Sequence, residues 1–148
     1  MGKCTRNFYE DPVQIRAAKL LAAEKGIDAR MASVVRPAPV PGKRAAIIGG
    51  GPTGIAAAYF LGRAGVACTI FERTGKLGGI VRHVIPAFRI SDEAIDRDID
   101  LMQAYGAEVR LNTEAPSVEE LHKLGYTHIL YATGAWKPGK LNIPGNVR

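Results

Sequence analysis

Cysteine is scarce in this sequence. Only Cys4 and Cys68 occur among 148 residues, too few for a disulfide framework or a complete structural zinc site. Long apolar runs are missing too. None reaches the roughly 18 residues that a membrane span requires, and the start, Met1-Gly-Lys-Cys-Thr-Arg, lacks the apolar stretch of a secretory signal. These absences exclude a helical membrane span and point to a reducing cytoplasm. Aromatics make up 7% of the chain. Residues 1–44 hold nine Lys/Arg against four Asp/Glu, most of the net charge of +6, yet their only aromatics are Phe8 and Tyr9. Scattered charge without a stacking platform or a basic helix face is a solvated surface, not a nucleic-acid site. What remains is ordinary globular usage, 47% hydrophobic and 23% charged, with length enough for one domain and a sizeable core.

Asp11-Pro12 predicts a helix start, Val13, Ala17, Leu20 and Leu21 recur at helical spacing, and Gly26 predicts its end. The prolines of Arg36-Pro-Ala-Pro-Val-Pro-Gly42 forbid a helix and predict an extended linker. A boundary is therefore expected between residues 1–42 and residues 43–148. From Lys43 onward strands and helices alternate. Strands are expected at Arg44–Ile48, Val66–Glu72, Ala107–Leu111 and His128–Ala132. Helices are expected at Pro52–Ala64, from a Ser91 cap to about Tyr105 with Ile95, Ile99 and Met102 inward, and after the Ser117-x-x-Glu120 capping box. Strands separated by helices imply right-handed crossovers, so the fold class is α/β: a Rossmann-like parallel sheet with an N-terminal helical extension.

The sharpest motif is Gly49-Gly50-Gly51-Pro52-Thr53-Gly54, a G-x-G-x-x-G between a predicted strand and a predicted helix, with Glu72 ending the next strand. That context marks a dinucleotide-binding turn. Gly49 permits the tight turn, Gly51 lets the backbone approach a pyrophosphate, and Gly54 permits close helix–strand packing. The helix start at Pro52 and Thr53 offers free amides and a positive dipole end to phosphates. Glu72 is expected to accept hydrogen bonds from an adenosine ribose, and Arg73, next to it on a strand, to point to the opposite face. Gly78 and Gly79 allow a second stretch of backbone to approach a long ligand. Thr133 and Gly134 follow a strand C-terminus, the edge at which ligands sit in open α/β sheets.

Gly49–Gly54, Glu72, Leu77-Gly-Gly-Ile-Val-Arg82, Ile85-Pro-Ala-Phe-Arg89 and Ala132-Thr-Gly134 together resemble the FAD-binding half of the glutamate synthase small-subunit family. That family includes dihydropyrimidine dehydrogenase and the iron–sulfur subunit of proteins described as selenate reductases. The resemblance is strongest to the last, because Val84 stands where the glutamate synthase type usually has glycine. It implies that Gly49, Gly51, Gly54 and Glu72 hold the ADP half of FAD. Gly78, Gly79 and Arg82 would then lie along the pyrophosphate and towards the flavin, and Thr133 and Gly134 would close over the phosphates. Family members pass electrons from NAD(P)H to FAD and through iron–sulfur clusters to a partner domain or subunit. Cys4-Thr-Arg and Asp11–Arg16 resemble the tail of the family's helical iron–sulfur domain, with Cys4 a remnant ligand; one thiolate cannot hold a cluster that needs about four.

The resemblance also implies an inserted pyridine-nucleotide domain and a returning FAD segment. Neither is present, so the sequence reads as a fragment of a larger oxidoreductase, unable by itself to oxidise NADPH or NADH. No catalytic residue is identified. Cys68 reads as core packing. His83, His122 and His128 lack metal-ligand spacing. Asp92, Glu93, Asp96, Asp98 and Asp100 read as favourable charge on a solvated helix start. Tyr105 and Tyr126 lack the lysine of a short-chain dehydrogenase. The alternative from a different class is a non-catalytic NAD(H)/ADP-binding sensor or docking module.

Overall fold

The computed structural model describes residues 3–136, and the last part of the expected second domain, 137–148, lies outside the described residues. The chain divides into two compact units, Met1–Val34 and Val35–Arg148. In the first, a 3₁₀ turn over Thr5–Phe8 precedes helix α1, Ile15–Ala32. Both ends of α1 differ from expectation. Asp11 lies four residues before the first helical residue and caps nothing, and the helix passes through Gly26. A single glycine costs a helix only about 1 kcal/mol, and Ile27–Ala32 carries it onward. None of its residues is buried within the protein.

The Pro-rich segment groups with the second unit rather than bridging to it. Val40 N–H donates to Gly65 O (2.8 Å), and Arg36 Nε donates to Ala104 O (2.8 Å). These bonds move the boundary from residue 42 back to residue 34.

The second unit is built from β1 (Arg44–Ile48), α2 (Pro52–Arg63), β2 (Ala67–Phe71), α3 (Ile80–His83), α4 (Asp92–Ala104), β3 (Glu108–Arg110), α5 (Val118–Lys123) and β4 (His128–Tyr131). The four strands form one parallel sheet in the order β3-β2-β1-β4. The expected strands and helices are all present, shifted by a residue or two at their ends; the short α3 was not foreseen. Residues on both faces of the central strands are buried. Ala45, Ile47, Cys68 and Ile70 meet Ala58 of α2 and Met102 of α4 on one side. Ala46 and Phe71 meet Leu121 of α5 and Tyr126 on the other. A parallel sheet needs such double cover, which is why its strands read as near-continuous apolar runs. Thr69, buried among them, donates its hydroxyl to Glu108 Oε2 at 3.0 Å.

Local signals explain where the helices begin. Ser91 Oγ accepts from Ala94 N–H, and Ser117 and Glu120 complete a reciprocal capping box. Cys68 lies in the core with its thiol pushed up to about 11 by burial and by the nearby Glu108 charge, as packing rather than reactivity requires.

At Gly62 of α2 an added Cβ would lie 2.9 Å from the Cβ of Tyr105, the residue that follows α4, and 3.0 Å from its carbonyl oxygen. Gly62→Ala is expected to destabilise the protein by about 1–3 kcal/mol, although alanine is the better helix former by about 1 kcal/mol. Urea or thermal denaturation measures the difference; equal or greater stability would mean that the two helices separate at little cost.

Candidate functional site

The C-terminal ends of the parallel strands gather at one edge. Strand order reverses between β1 and β4, the switch point at which open α/β sheets form a crevice. A cleft of ≈ 630 Å³ opens there, within the size range of small-molecule sites. It is lined by the ends of β1 (Ile48, Gly49), β2 (Glu72, Arg73) and β4 (Tyr131, Thr133, Gly134), by the Glu114–Pro116 loop, and by Trp136.

Each glycine of the first turn has its own steric reason. Gly49 has φ +108, and a Cβ on it would lie 2.5 Å from Ala132 O. A Cβ on Gly54 would lie 2.0 Å from Gly49 O, so α2 could not sit this close to the β1 end. Gly51 differs: among the described residues a Cβ on it would meet only Gly79 Cα within 4 Å, at 3.8 Å, an ordinary contact. Its emptiness is required by nothing in the chain itself. Pro52 occupies the first turn of α2, and Thr53 beside it is exposed; the opening amides of a helix have no intrahelical acceptor.

The second glycine turn packs directly on the first. Gly78 N–H donates to Gly50 O at 2.8 Å, and a Cβ on Gly79 would lie 2.9 Å from Gly51 Cα. Gly78 and Gly79 both have positive φ, +120 and +53. The two glycine pairs, 28 positions apart in the sequence, thus meet backbone to backbone.

Glu72 stands at the junction of the loops and is 7% exposed. Its Oε2 accepts from Gly50 N–H (2.7 Å), and its Oε1 accepts from Thr74 N–H (2.8 Å) and the Thr74 hydroxyl (2.9 Å). Burial pushes the carboxyl up, but these hydrogen bonds, with Arg73 nearby, outweigh it and hold the group below its ordinary 4.5. Sequence reasoning assigned Glu72 to a ribose alone and missed this internal role, along with Gly50 and Thr74, which fulfil it. Gly50 occupies a variable position of the motif, and an added Cβ there would lie 2.2 Å from Leu77 Cδ2.

Three further expectations change. β2 ends at Phe71, so strand alternation does not separate Glu72 from Arg73; both line the cleft, with the Arg73 guanidinium 5.6 Å from the Trp136 ring centroid. The Arg82 side chain is 6% exposed and ion-paired to Asp92 (3.2 Å) and Asp96, so its charge is already engaged by the protein. For the same reason Asp92 and Asp96 are more than a solvated helix start. Cys4 lies in the first unit, where the amides of Val13 and Arg6 lower its thiol pKa. Among the described residues no three His, Cys, Asp or Glu side chains are grouped to hold a metal ion, and no helix is long and apolar enough to cross a membrane.

The parallel sheet, the paired glycine turns and the cleft at the switch point define an α/β domain of Rossmann-like fold. Residues 47–107 match the family model described as an NAD(P)-binding Rossmann-like domain. The chain's homologues are oxidoreductases. It is 39% identical over 145 residues to YgfK of Escherichia coli (strain K12), an oxidoreductase by name, covering 97% of this chain and 14% of that protein. It is 33% identical over 144 residues to the glutamate synthase [NADPH] small chain of Mycobacterium tuberculosis (strain ATCC 25618 / H37Rv), covering 96% of this chain and 30% of the relative. Among solved structures, histamine dehydrogenase from Rhizobium sp. 4-9 aligns with a TM-score of 0.50 at 25% identity, over 70% of this chain and 15% of the other. The glutamate synthase resemblance read from the motifs is borne out. The chain spans less than a third of the length of the curated relatives it matches.

Two glycine variants separate fold from ligand. Gly51→Ala adds a methyl in ordinary contact with Gly79, so it is expected to melt like the wild type while losing dinucleotide affinity by about tenfold or more. Gly54→Ala is expected to lower the melting temperature through its clash with Gly49 O. Thermal melts and equilibrium titration of both variants check the contrast.

A pH dependence follows from Glu72. Its folded pKa lies below the unfolded value, so the carboxylate's bonds stabilise the fold fully above the 4.5 range and are lost as pH falls through the folded pKa. Glu72→Gln is expected to flatten this acid limb, measured as denaturation midpoints between about pH 3 and 7.

Proposed function

We propose that this chain is the FAD-binding portion of a larger NAD(P)H-dependent flavin/iron–sulfur oxidoreductase that relays electrons to a partner domain or subunit. The observation that carries this reading is the opposition of Gly51 and Gly79. Two glycine turns in backbone contact, with room for no more than a methyl group at Gly51, suit the close approach of a pyrophosphate to bare backbone along their shared rim. A ligand that spans both turns and the adjoining cleft is longer than a mononucleotide.

The residues fit the adenosine-diphosphate part of such a ligand. Glu72 Oε2, which accepts only from Gly50 N–H, retains one acceptor site, and the residue lines the cleft where a ribose would lie. Tyr131 and Trp136 offer aromatic surface beside it. Gly51, Thr53 and Gly54 present backbone at the α2 start, and Gly78, Gly79, Thr133 and Gly134 complete the walls. Flavin bound there supplies the electron-transfer chemistry, while the chain binds and orients it and tunes its surroundings. Nicotinamide binding and iron–sulfur ligation belong, in this reading, to other parts of the larger protein. The oxidoreductase identity of the homologues speaks against the sensor alternative.

Purified chain titrated with FAD, ADP and NADP tests the assignment. FAD and ADP are expected to bind in preference to NADP by about one to three orders of magnitude, because Glu72 repels a 2′-phosphate. Glu72→Gln is expected to narrow the ratio, and Arg73→Ala to widen it, since Arg73 lines the same cleft. Equal or tighter binding of NADP would overturn the reading.

A further inference from the structure

We propose that Arg82 is a positioning residue, clasping the second glycine turn to the start of α4 so that it stands against the first turn before any ligand arrives. This inference rests on the dinucleotide reading of the cleft.

The Arg82 guanidinium has three partners. Its Nε donates to Leu77 O at 2.7 Å, one amino group pairs with Asp92 at 3.2 Å, and the other donates to Asp96. Asp92 and Asp96 lie in the first two turns of α4, while Leu77 immediately precedes Gly78. One planar guanidinium therefore joins a backbone carbonyl of the turn to two carboxylates of a helix. A lysine ammonium, as a point charge, cannot serve three partners in this fork geometry. The Arg82 side chain also packs on the turn itself: a Cβ on Gly78 would lie 2.7 Å from Arg82 Cβ and 3.1 Å from Nε.

The turn is the part that needs the clasp. Gly78 and Gly79 are both at positive φ, and glycine has the largest conformational entropy to lose. Leu77 anchors the segment in the core. Helix α4, by contrast, has its own Ser91 cap and buries Ile95, Leu101 and Met102, so it holds without Arg82. The path of restraint runs from Asp92 and Asp96 through Arg82 to Leu77, then through Gly78 N–H to Gly50 O. A loop fixed in its binding shape raises affinity by reducing what must be ordered on binding. The arginine's charge is thus used within the protein. It does not serve as a phosphate ligand.

The test compares the 148-residue chain with Arg82→Ala, Arg82→Lys, Asp96→Asn and Asp92→Asn/Asp96→Asn variants. Both aspartates are more than half exposed but the Arg82 side chain is 6% exposed, so the double variant leaves a buried cation facing amides only; the single Asp96→Asn variant keeps the Asp92 ion pair and keeps the proposal testable if the other variants fold poorly. In ligand-free protein, hydrogen exchange at the Gly78 amide is expected to quicken by about tenfold or more in Arg82→Ala and in the double variant, and in the same direction in Asp96→Asn, with β1 and β2 amides unchanged. FAD affinity is expected to fall by about tenfold while AMP, which reaches only the first turn and the cleft, changes by less than about twofold. Arg82→Lys is expected to recover little, and millimolar guanidinium to restore FAD binding to Arg82→Ala. Unchanged exchange at Gly78 would overturn the proposal, as would parallel losses of FAD and AMP affinity with a lowered melting temperature. A wild-type chain that binds no FAD, with the exchange result as expected, would defeat the FAD reading and leave the clasp standing.

Discussion

The hydrogen bond from Gly50 N–H to the Glu72 carboxylate is the contact on which the rest of the cleft depends. It joins the end of β1 to the end of β2, and through Thr74 it fixes the start of the following turn. A buried carboxylate is costly unless its oxygens are satisfied. Here three donors satisfy it, and their effect outweighs burial in setting its pKa. A side chain at position 50 would displace Leu77 Cδ2, 2.2 Å away, and crowd Glu72 Oε2 at 3.2 Å. With the first turn held by Glu72, Gly50 O is presented to Gly78 N–H, and the two glycine turns come together.

The electrostatics of the cleft follow from where charge is already used. Arg82 is neutralised by Asp92 and Asp96, and Arg73 lies over Trp136 at the rim. Glu72 and Glu114 contribute negative charge to the lining. In the dinucleotide reading proposed above, attraction for a pyrophosphate comes from backbone amides and the positive end of α2 rather than from a cluster of cationic side chains. That explains why the approach of backbone, and hence glycine, matters more at this site than lysine or arginine.

Packing carries these constraints into the core. Ile47, next to the first turn, is fully buried, and a Cβ on Gly54 of α2 would lie 3.4 Å from its Cγ2 and 2.0 Å from Gly49 O. Because α2 and α4 both lie on that face of the sheet, the helix that starts at the glycine-rich turn and the helix that holds Arg82 share one apolar layer. The geometry of the cleft is thus tied to the best-buried part of the molecule and not to surface loops alone.

The parallel α/β architecture, the strand and helix positions, the Ser91 and Ser117 caps and the first glycine turn were legible in the sequence. Each rests on short-range rules: apolar runs between terminators, capping residues at fixed offsets, glycines at fixed spacing. The end of α1 was misjudged because a lone glycine is a weak stop signal, and α3 was missed because four residues carry no period. Glu72 as a ribose ligand was an expectation of position; Glu72 as the clamp on Gly50 was not, because that bond depends on the side-chain direction after β2 ends. The family resemblance placed Arg82 along the pyrophosphate and towards the flavin; its carboxylate partners lie 10 and 14 residues further on, brought to it by the folding of α4. The sequence alone determined which backbone segments are free to approach a ligand, since only glycine permits it. The tertiary structure alone decided which side chains hold those segments in place, since ion pairs and hydrogen bonds between distant residues leave no periodic trace in the chain.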